Sequence, residues 1–599
     1  MQGALRRSVP WRPLGRRRIF SAAVPLQFGE FQALAERIGG HSGRLAKSEA
    51  LRAFTESRRL ADGDAEVLLR LLLPRHDPRR YRLKDRALLS RLARVYGAEA
   101  PAMREHLERC GVISATAEAF FARPPAYAVP LMLSDVDCVL SELDAVAKAD
   151  EQVGVLRSFA ERCSAADMMW LVRLVKKDLR IGAGDKTVMD GIHPEAHAQF
   201  QRTSDLAYVV GAWQSGALSD PAAAAADDEL RPIQPMLAKA HGDLDVFESR
   251  FERGGTACEV KYDGERVQIH KDGDELRFYS RNLKPVNADK IDALRGSVES
   301  ALQGVDRAIL DAELLLIDER RSGRAALLPF GSVGVHQQAK HECSALCLFV
   351  FDVMRWGEDS VTHWPFERRR ALLEGELRAI PQRVELSEME LLRDREHLSS
   401  FIDAIIDEGL EGVVLKDVRE EYEPGKRRWL KMKRDYLDGG AMADSADLVV
   451  LGGYFGTGKM GGKISVFLMG CWDTSAGLWK TVCKCGNGLD DERVEQLQTA
   501  MAMVKISRSA ADVPEWLDVT STLTPDFVVE DPMESLVLQI TGTEFTESTS
   551  HSADGISIRF PRVTCERDDK DPATATTLGE LVELRDSSTA HVRSVRAAQ

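Results

Sequence analysis

No two of the ten cysteines in this 599-residue chain are separated by two residues. Zinc ribbons and fingers need that spacing, so a structural zinc module of this kind is excluded. The cysteines, at 110, 138, 163, 258, 343, 347, 471, 483, 485 and 565, also lack the even spacing of a secreted disulfide framework, which points to a non-secretory compartment. No run of about 18 apolar residues occurs, so neither a membrane-spanning helix nor a membrane partner is expected. Internal repeats are absent. So are acidic residues before Glu30, where Arg6, Arg7, Arg12, Arg16, Arg17 and Arg18 accompany Ser8 and Ser21. An arginine-rich, acid-free stretch has the composition of an organellar transit peptide, and Arg18-Ile19-Phe20-Ser21 resembles a matrix-protease site. Residues 1–27 are therefore expected to be a mitochondrial transit peptide. The alternative is a disordered basic arm that touches phosphates or directs nuclear import.

The rest is globular in composition, with 44% hydrophobic and 29% charged residues. Its length is too great for one core and predicts three or four domains. The net charge of −14 argues weakly against a polyanionic partner, but an acidic total can hide a basic face. From 28 to 220 the pattern is helical. Leu171, Leu174, Val175 and Leu179 share one helix face, and Gly182-Ala183-Gly184 ends the run. Arg173, Lys176, Lys177 and Arg180 occupy other faces, as a solvated surface or as one that grips phosphates. An alanine run from Ala222 marks a linker over 221–231. Strands are expected at 258–261, 266–270, 308–317, 347–351 and 412–415, with helices at 365–377 and 398–408, in an α+β domain over 232–437. A hinge at Gly439-Gly440 leads into short strands, including 447–452 and 465–471, that predict a small all-β barrel over 438–582 and a tail over 583–599. Thr457 to Lys463 imitates a Walker loop, but it begins with Thr, continues to Ile464 where Ser or Thr is needed, and lies between strands, so it is a hairpin.

Five blocks carry chemistry. Lys261-Tyr262-Asp263-Gly264-Glu265-Arg266 ends a strand in a lysine. Ser280-Arg281-Asn282 follows, then Ile309-Leu310-Asp311-Ala312-Glu313, an apolar strand ending in carboxylates. Glu411-Gly412-Val413-Val414-Leu415-Lys416 is a strand with alternating faces, and Trp429-Leu430-Lys431-Met432-Lys433 sets two lysines on one face. K-x-D-G alone is weak evidence, but the order and spacing of all five are those of a covalent nucleotidyltransferase. Phosphoryl chemistry explains the residue types. A lysine attacks as the free amine, a form favoured by neighbouring cations such as Lys431 and Lys433. Glu313 and Glu411 offer hard oxygens to Mg²⁺. Arg266 and Arg281 are donors for ribose and phosphate oxygens. Phe351 ends a strand where it could stack on a base.

These blocks resemble the motifs of ATP-dependent DNA ligases. The stretches at 327–336, 347–353, 408–418, 440–456 and 551–562 are especially similar to DNA ligase III. The resemblance implies an all-α DNA-binding domain, an α+β nucleotidyltransferase (adenylation) domain and an all-β OB-fold domain. It further implies ATP and Mg²⁺ as cofactors, Lys261 as the adenylated nucleophile and Glu259 as the reader of the adenine amino group. Arg266 and Arg281 would hold ribose and phosphate, Glu313 and Glu411 metal, and Phe351 the base. Lys416, Lys431 and Lys433 would contact phosphates, with Arg427 also on the nucleotide, while Arg559 and Lys570 would orient pyrophosphate. The implied partner is nicked duplex DNA, encircled by a monomer, in repair and replication; no repair protein is identified. Cys565 stands where relatives often carry arginine, and LDAE replaces the commoner LDGE. Neither the zinc finger nor the BRCT domain of ligase III relatives is expected. An RNA ligase or capping guanylyltransferase is disfavoured by the long helical region, an NAD-dependent ligase by the missing zinc module, and a non-catalytic scaffold by the presence of Lys261, Glu313 and Glu411.

Overall fold

The computed structural model describes residues 25–58, 60, 63–121, 130–219, 231–240, 255–286, 292–321, 323–327, 344–408, 410–433, 445–542 and 545–586. Residues 1–24, the linker through 230, Gly439-Gly440, 328–336 and the tail from 587 lie outside them. The chain divides into two compact units. The first comprises Met1–Leu107, Val112–His197 and Trp213–Ser215; the second comprises Glu108–Gly111, Ala198–Ala212 and Gly216–Gln599. Most of the last two helices of the expected 28–220 domain, Ala196–Thr203 and Leu206–Ser215, thus groups with the second unit.

Among the described residues the first unit is helical, because its apolar residues recur at helical spacing. Phe28, Phe31, Leu34, Ala35 and Ile38 form the buried stripe of the helix Phe28–Gly40. The helix Ala165–Val175 opens with a reciprocal cap in which Ser164 Oγ accepts from Asp167 N at 3.1 Å and Asp167 accepts from Ser164 N at 2.9 Å. Leu171, Leu174, Val175 and Leu179 are all buried, as the periodicity predicts. The helix nevertheless stops at Val175, short of the expected glycine turn, and Lys177 and Arg180 take left-handed φ values of +55° and +61°. Tertiary contacts account for this. The Lys177 ammonium donates to the Asp77 carbonyl at 2.6 Å, and Lys176 pairs with Asp85 at 2.5 Å. Arg180 lies 3.4 Å from Asp178, and the Arg173 guanidinium sits 4.6 Å above the Trp170 ring. All four cations are half-buried and engaged within the unit.

The second unit contains two facing sheets. One runs β1-β11-β10-β2-β9, from β1 (Leu237–Ala240), β2 (Thr256–Val260), β9 (Met389–Leu392), β10 (Gly412–Asp417) and β11 (Arg427–Lys433). The other runs β4-β3-β5-β6-β7, with β8 on β6: β3 (Glu265–Asp272), β4 (Glu275–Ser280), β5 (Arg307–Asp318), β6 (Ser344–Trp356), β7 (Asp359–Ser360) and β8 (Val384–Leu386). Alternate residues of β2, β10 and β11, namely Cys258, Val260, Val413, Leu415, Leu430 and Met432, are buried together with Leu315 and Phe349 of the other sheet. Leu398, Phe401, Ile402 and Ile405 of the helix Arg395–Asp407 join the same core. Period-two alternation then assigns the intervening residues to the opposite face.

A β-barrel module follows. Its long β12 (Ala446–Phe455) pairs β13 (Ile464–Asp473) along one edge, and β13 pairs β14 (Leu478–Cys485). On its other edge β12 pairs first β18 (Val537–Thr541) and then β17 (Phe527–Val529). Gly452 stands at that switch, where an added methyl would lie 2.4 Å from the Phe527 carbonyl oxygen. The Walker-like segment is the β12–β13 hairpin, closed by one 3-10 turn at Gly458–Met460. The module is not purely β: a helix, Asp491–Ala500, capped by Asp490, is inserted after β14, and 578–586 are helical.

Because Lys177 donates a charge-assisted bond to a buried turn, Lys177→Met should lower unfolding free energy by about 1–3 kcal/mol in a urea titration. An unchanged midpoint would show that this contact is idle.

Candidate active site

The register of three strands sets the site. In one row Glu259 of β2 lies opposite Val414 of β10, and Val414 opposite Lys431 of β11. In the next row the Lys261 N–H donates to the Gly412 carbonyl at 2.8 Å, and Gly412 lies opposite Lys433. The nucleophile candidate and the lysine of the last block are thus two strand spacings apart, roughly 10 Å, with a glycine between them. Glu411, just before β10, meets Lys261 Nζ in an ion pair. Tyr262 points the other way: it stacks on Phe349 at 4.5 Å and accepts from Glu388 N at 3.1 Å, anchoring the lysine turn.

The second sheet supplies the facing carboxylates. Arg266 of β3 is held by Asp311 of β5 through Nε at 2.9 Å and Nη2 at 2.5 Å, and by the Met236 carbonyl at 2.8 Å. Tyr422 also donates to Asp311 at 2.8 Å. Glu313, opposite Arg266 in the register, has its pKa raised to about 7. Burial is the main cause, and Asp311 and Glu411 reinforce it against the opposing pull of Lys261 and Arg266. The glycine of the lysine block is required by this approach. A methyl on Gly264 would lie 2.5 Å from the Leu314 carbonyl oxygen and 2.9 Å from Glu313 Cγ.

Beneath Glu259 lies a buried ionic network. Lys416 Nζ donates to Glu259 at 2.8 Å and to the Phe351 carbonyl at 3.0 Å. It is 1% exposed and lies 4.5 Å from the Trp429 ring centroid and 4.9 Å from that of Phe351. Burial pushes Glu259 up and Lys416 down, each opposed by the other's charge. Arg369 grips Asp352 at 2.7 and 3.0 Å; burial works against that carboxylate, but Arg369 holds it below its usual range. This placement corrects the role expected for Lys416. Its ammonium is committed to Glu259 and closed off from solvent, so it braces that carboxylate instead of reaching out of the site.

The remaining candidates are more dispersed. Phe351 is half-buried, edge-on to Trp429 at 5.9 Å. Arg281 is exposed on the turn after β4, Arg427 is exposed at the start of β11, and Lys431 is half-buried. In the barrel, Arg559 lies over the exposed Phe560 ring, and Lys570 donates to Asp447 at 2.7 Å. Arg173, Lys176, Lys177 and Arg180 belong to the other compact unit. Sequence reasoning passed over Asp352, Arg369, Tyr422 and Asp447. Only Asp352 carried a local signal, as a charge inside the apolar strand β6.

Three family models match in chain order: "DNA ligase N terminus" over 27–193, "ATP dependent DNA ligase domain" over 235–433, and "ATP dependent DNA ligase C terminal region" over 460–570. The DNA ligase of Monkeypox virus is 40% identical over 568 residues, covering 94% of this chain and 99% of its own. The chain belongs to the ATP-dependent DNA ligase family. Nick sealing is the function of that family. DNA ligase 3 of Dictyostelium discoideum is 34% identical over 92% of this ligase and 50% of its own length. A solved structure titled Pmar-Lig_PreS3 has a TM-score of 0.51 at 16% identity, covering 90% of this chain and 99% of its own, a likeness of fold alone.

Burial of Glu313, with Asp311 and Glu411 beside it, is a source of instability. Glu313 titrates at about 7 when folded, against 4.5 ordinarily. Its contribution to stability is therefore present below about pH 4.5 and is lost as pH rises through 7. In EDTA, Glu313→Gln should melt progressively higher than the wild type as pH goes from 5 to 8. A gap that stays constant or reverses would contradict the placement of Glu313.

Proposed function

We propose that this chain seals nicks through an adenylated Lys261, with ATP as the adenylate donor and Mg²⁺ as the divalent ion. One observation carries the choice of ATP: Glu259 Oε1 is buried and, among the described residues, receives no hydrogen bond, with Arg370 Nη1 3.8 Å away. A buried acceptor left open in this way suits the exocyclic amino group of adenine and opposes the carbonyl that guanine carries at the same position. Phe351, within reach of the same Lys416 ammonium, suits the face of the base.

In the first step the Lys261 amine attacks the α-phosphorus, a P–N bond forms, and the P–O bond to pyrophosphate breaks. The amine sheds a proton beside Glu411, the carboxylate already against it. Glu313 and Glu411 fit a magnesium ion as two hard oxygen donors, Glu313 being raised by burial and, less, by Asp311 and Glu411; the ion would neutralise phosphate charge. In the second step the 5′-phosphate at the nick attacks the lysyl adenylate, breaking the P–N bond and freeing Lys261. In the third the 3′-hydroxyl attacks that 5′-phosphate, and AMP leaves with the bridging oxygen. Lys431 and Lys433 occupy adjacent rows beside Glu259 and Lys261, a placement suited to stabilising charge on the transferred phosphoryl group. Arg559 and Lys570 are proposed to orient pyrophosphate in the first step. We also propose mitochondrial targeting by residues 1–27, from their arginine-rich, acid-free composition. A fluorescent protein fused to them should enter mitochondria, and a nuclear or diffuse signal would refute it.

Incubation with α-labelled ATP and Mg²⁺ should label the wild-type protein, and nicked duplex should chase the label into AMP and sealed product. Lys261→Ala should take no label. Labelling by GTP in preference to ATP would refute the reading of Glu259.

A further inference from the structure

Residues 75–86 of the first unit hold six cations, Arg75, Arg79, Arg80, Arg82, Lys84 and Arg86, against two acids, Asp77 and Asp85, in a chain whose net charge is −14. The structure divides them by role. Arg79 is internal: it chelates the buried Asp77 at 2.9 and 2.7 Å and donates to the Asp137 carbonyl at 2.9 Å. Tyr81 and Leu83, 5% and 6% exposed, anchor the segment in the core, and Arg80 N donates to Asp144 at 2.7 Å. Arg75, Arg80, Arg82, Lys84 and Arg86 are exposed. Among the described residues, Arg80, Arg82, Lys84 and Arg86 make no ion pair.

The cations of 173–180 complete this arrangement from behind. Lys177 holds the Asp77 carbonyl and lies 6.0 Å from the Tyr81 ring centroid, while Lys176 neutralises Asp85, one of the segment's two acids. Lys176 and Lys177 are therefore the brace, and the surface they brace is the positive one.

We propose that 75–86 is the surface by which the helical unit holds the phosphate backbone of duplex DNA. A segment that has no helix or strand until a helix begins at Asp85, pinned at Asp77, Tyr81, Leu83 and the Arg80 amide, presents its cations with little left to order on binding. Four of the five exposed cations are arginines, whose planar fork matches phosphate oxygens bidentately. Contacts of this kind hold a duplex without reading its sequence, as an enzyme that meets nicks anywhere requires. The inference takes its ligand from the nick-sealing reading.

The test uses the full chain and a nicked duplex, with anisotropy measured across a range of salt. Arg80→Gln/Arg82→Gln/Lys84→Gln should lower the slope of log K against log salt by about 2–3 and weaken binding at low salt by roughly 10–100-fold. Arg104→Gln/Lys148→Gln/Arg162→Gln removes the same charge from exposed positions elsewhere in the unit and should leave the slope within about one of wild type. Melting curves confirm that each variant is folded; if the triple is not, Arg82→Gln alone should lower the slope by about one. A wild-type slope in the 80/82/84 variant, or an equal loss in the control, would overturn the proposal. Failure of the wild type itself to bind nicked duplex would instead refute the nick-sealing reading.

Discussion

Strand alternation across β2, β10 and β11 is the constraint on which the site depends. Val260, Val413 and Met432 must face the core, where they meet the helix Arg395–Asp407 and the second sheet. Glu259, Lys261 and Lys431 are thereby sent to the other face, in rows one step apart. β2 and β11, from separate stretches of chain and joined through β10, thus deliver a carboxylate, an amine and a second cation to one small area. A one-residue slip in any of them would turn its polar groups into the core.

That face carries unbalanced charge. Glu313 is crowded by Asp311 and Glu411, and Glu259 lies buried with one oxygen unmet. Such groups cost the fold stability, and their clustering marks a functional site. The buried pairs Lys416–Glu259 and Arg369–Asp352 keep the arrangement rigid, so the unmet acceptor is held ready instead of relaxing onto a nearby donor.

Much of this was legible in the sequence, for local reasons. The strands carrying Lys261, Glu313, Glu411 and Lys431 are bounded to within a few residues, because each is rich in apolar residues and ends at glycine or charge. The hairpin at 457–463 is separated from a phosphate loop by its opening Thr457, by Ile464 and by its flanking strands. What could not be read were partnerships over long chain separations. Lys416 reads as a phosphate ligand until Glu259 is found paired with it, and the 173–180 cations read as a surface until Lys177 is seen bonded to a carbonyl 100 residues away. The early end of that helix follows from the same contact, which no helical periodicity encodes. Arg369 gave no hint of its partner, since charge inside a helix is ordinarily solvated.

The central claim is that the amine ending β2 forms the covalent link to adenylate. Peptide mapping by tandem mass spectrometry after exposure to ATP tests it directly. An acid-labile AMP adduct on the peptide containing Lys261, assigned to that side chain, is the predicted result. An adduct on a different residue, or strand joining by a protein that never carries one, would contradict the account.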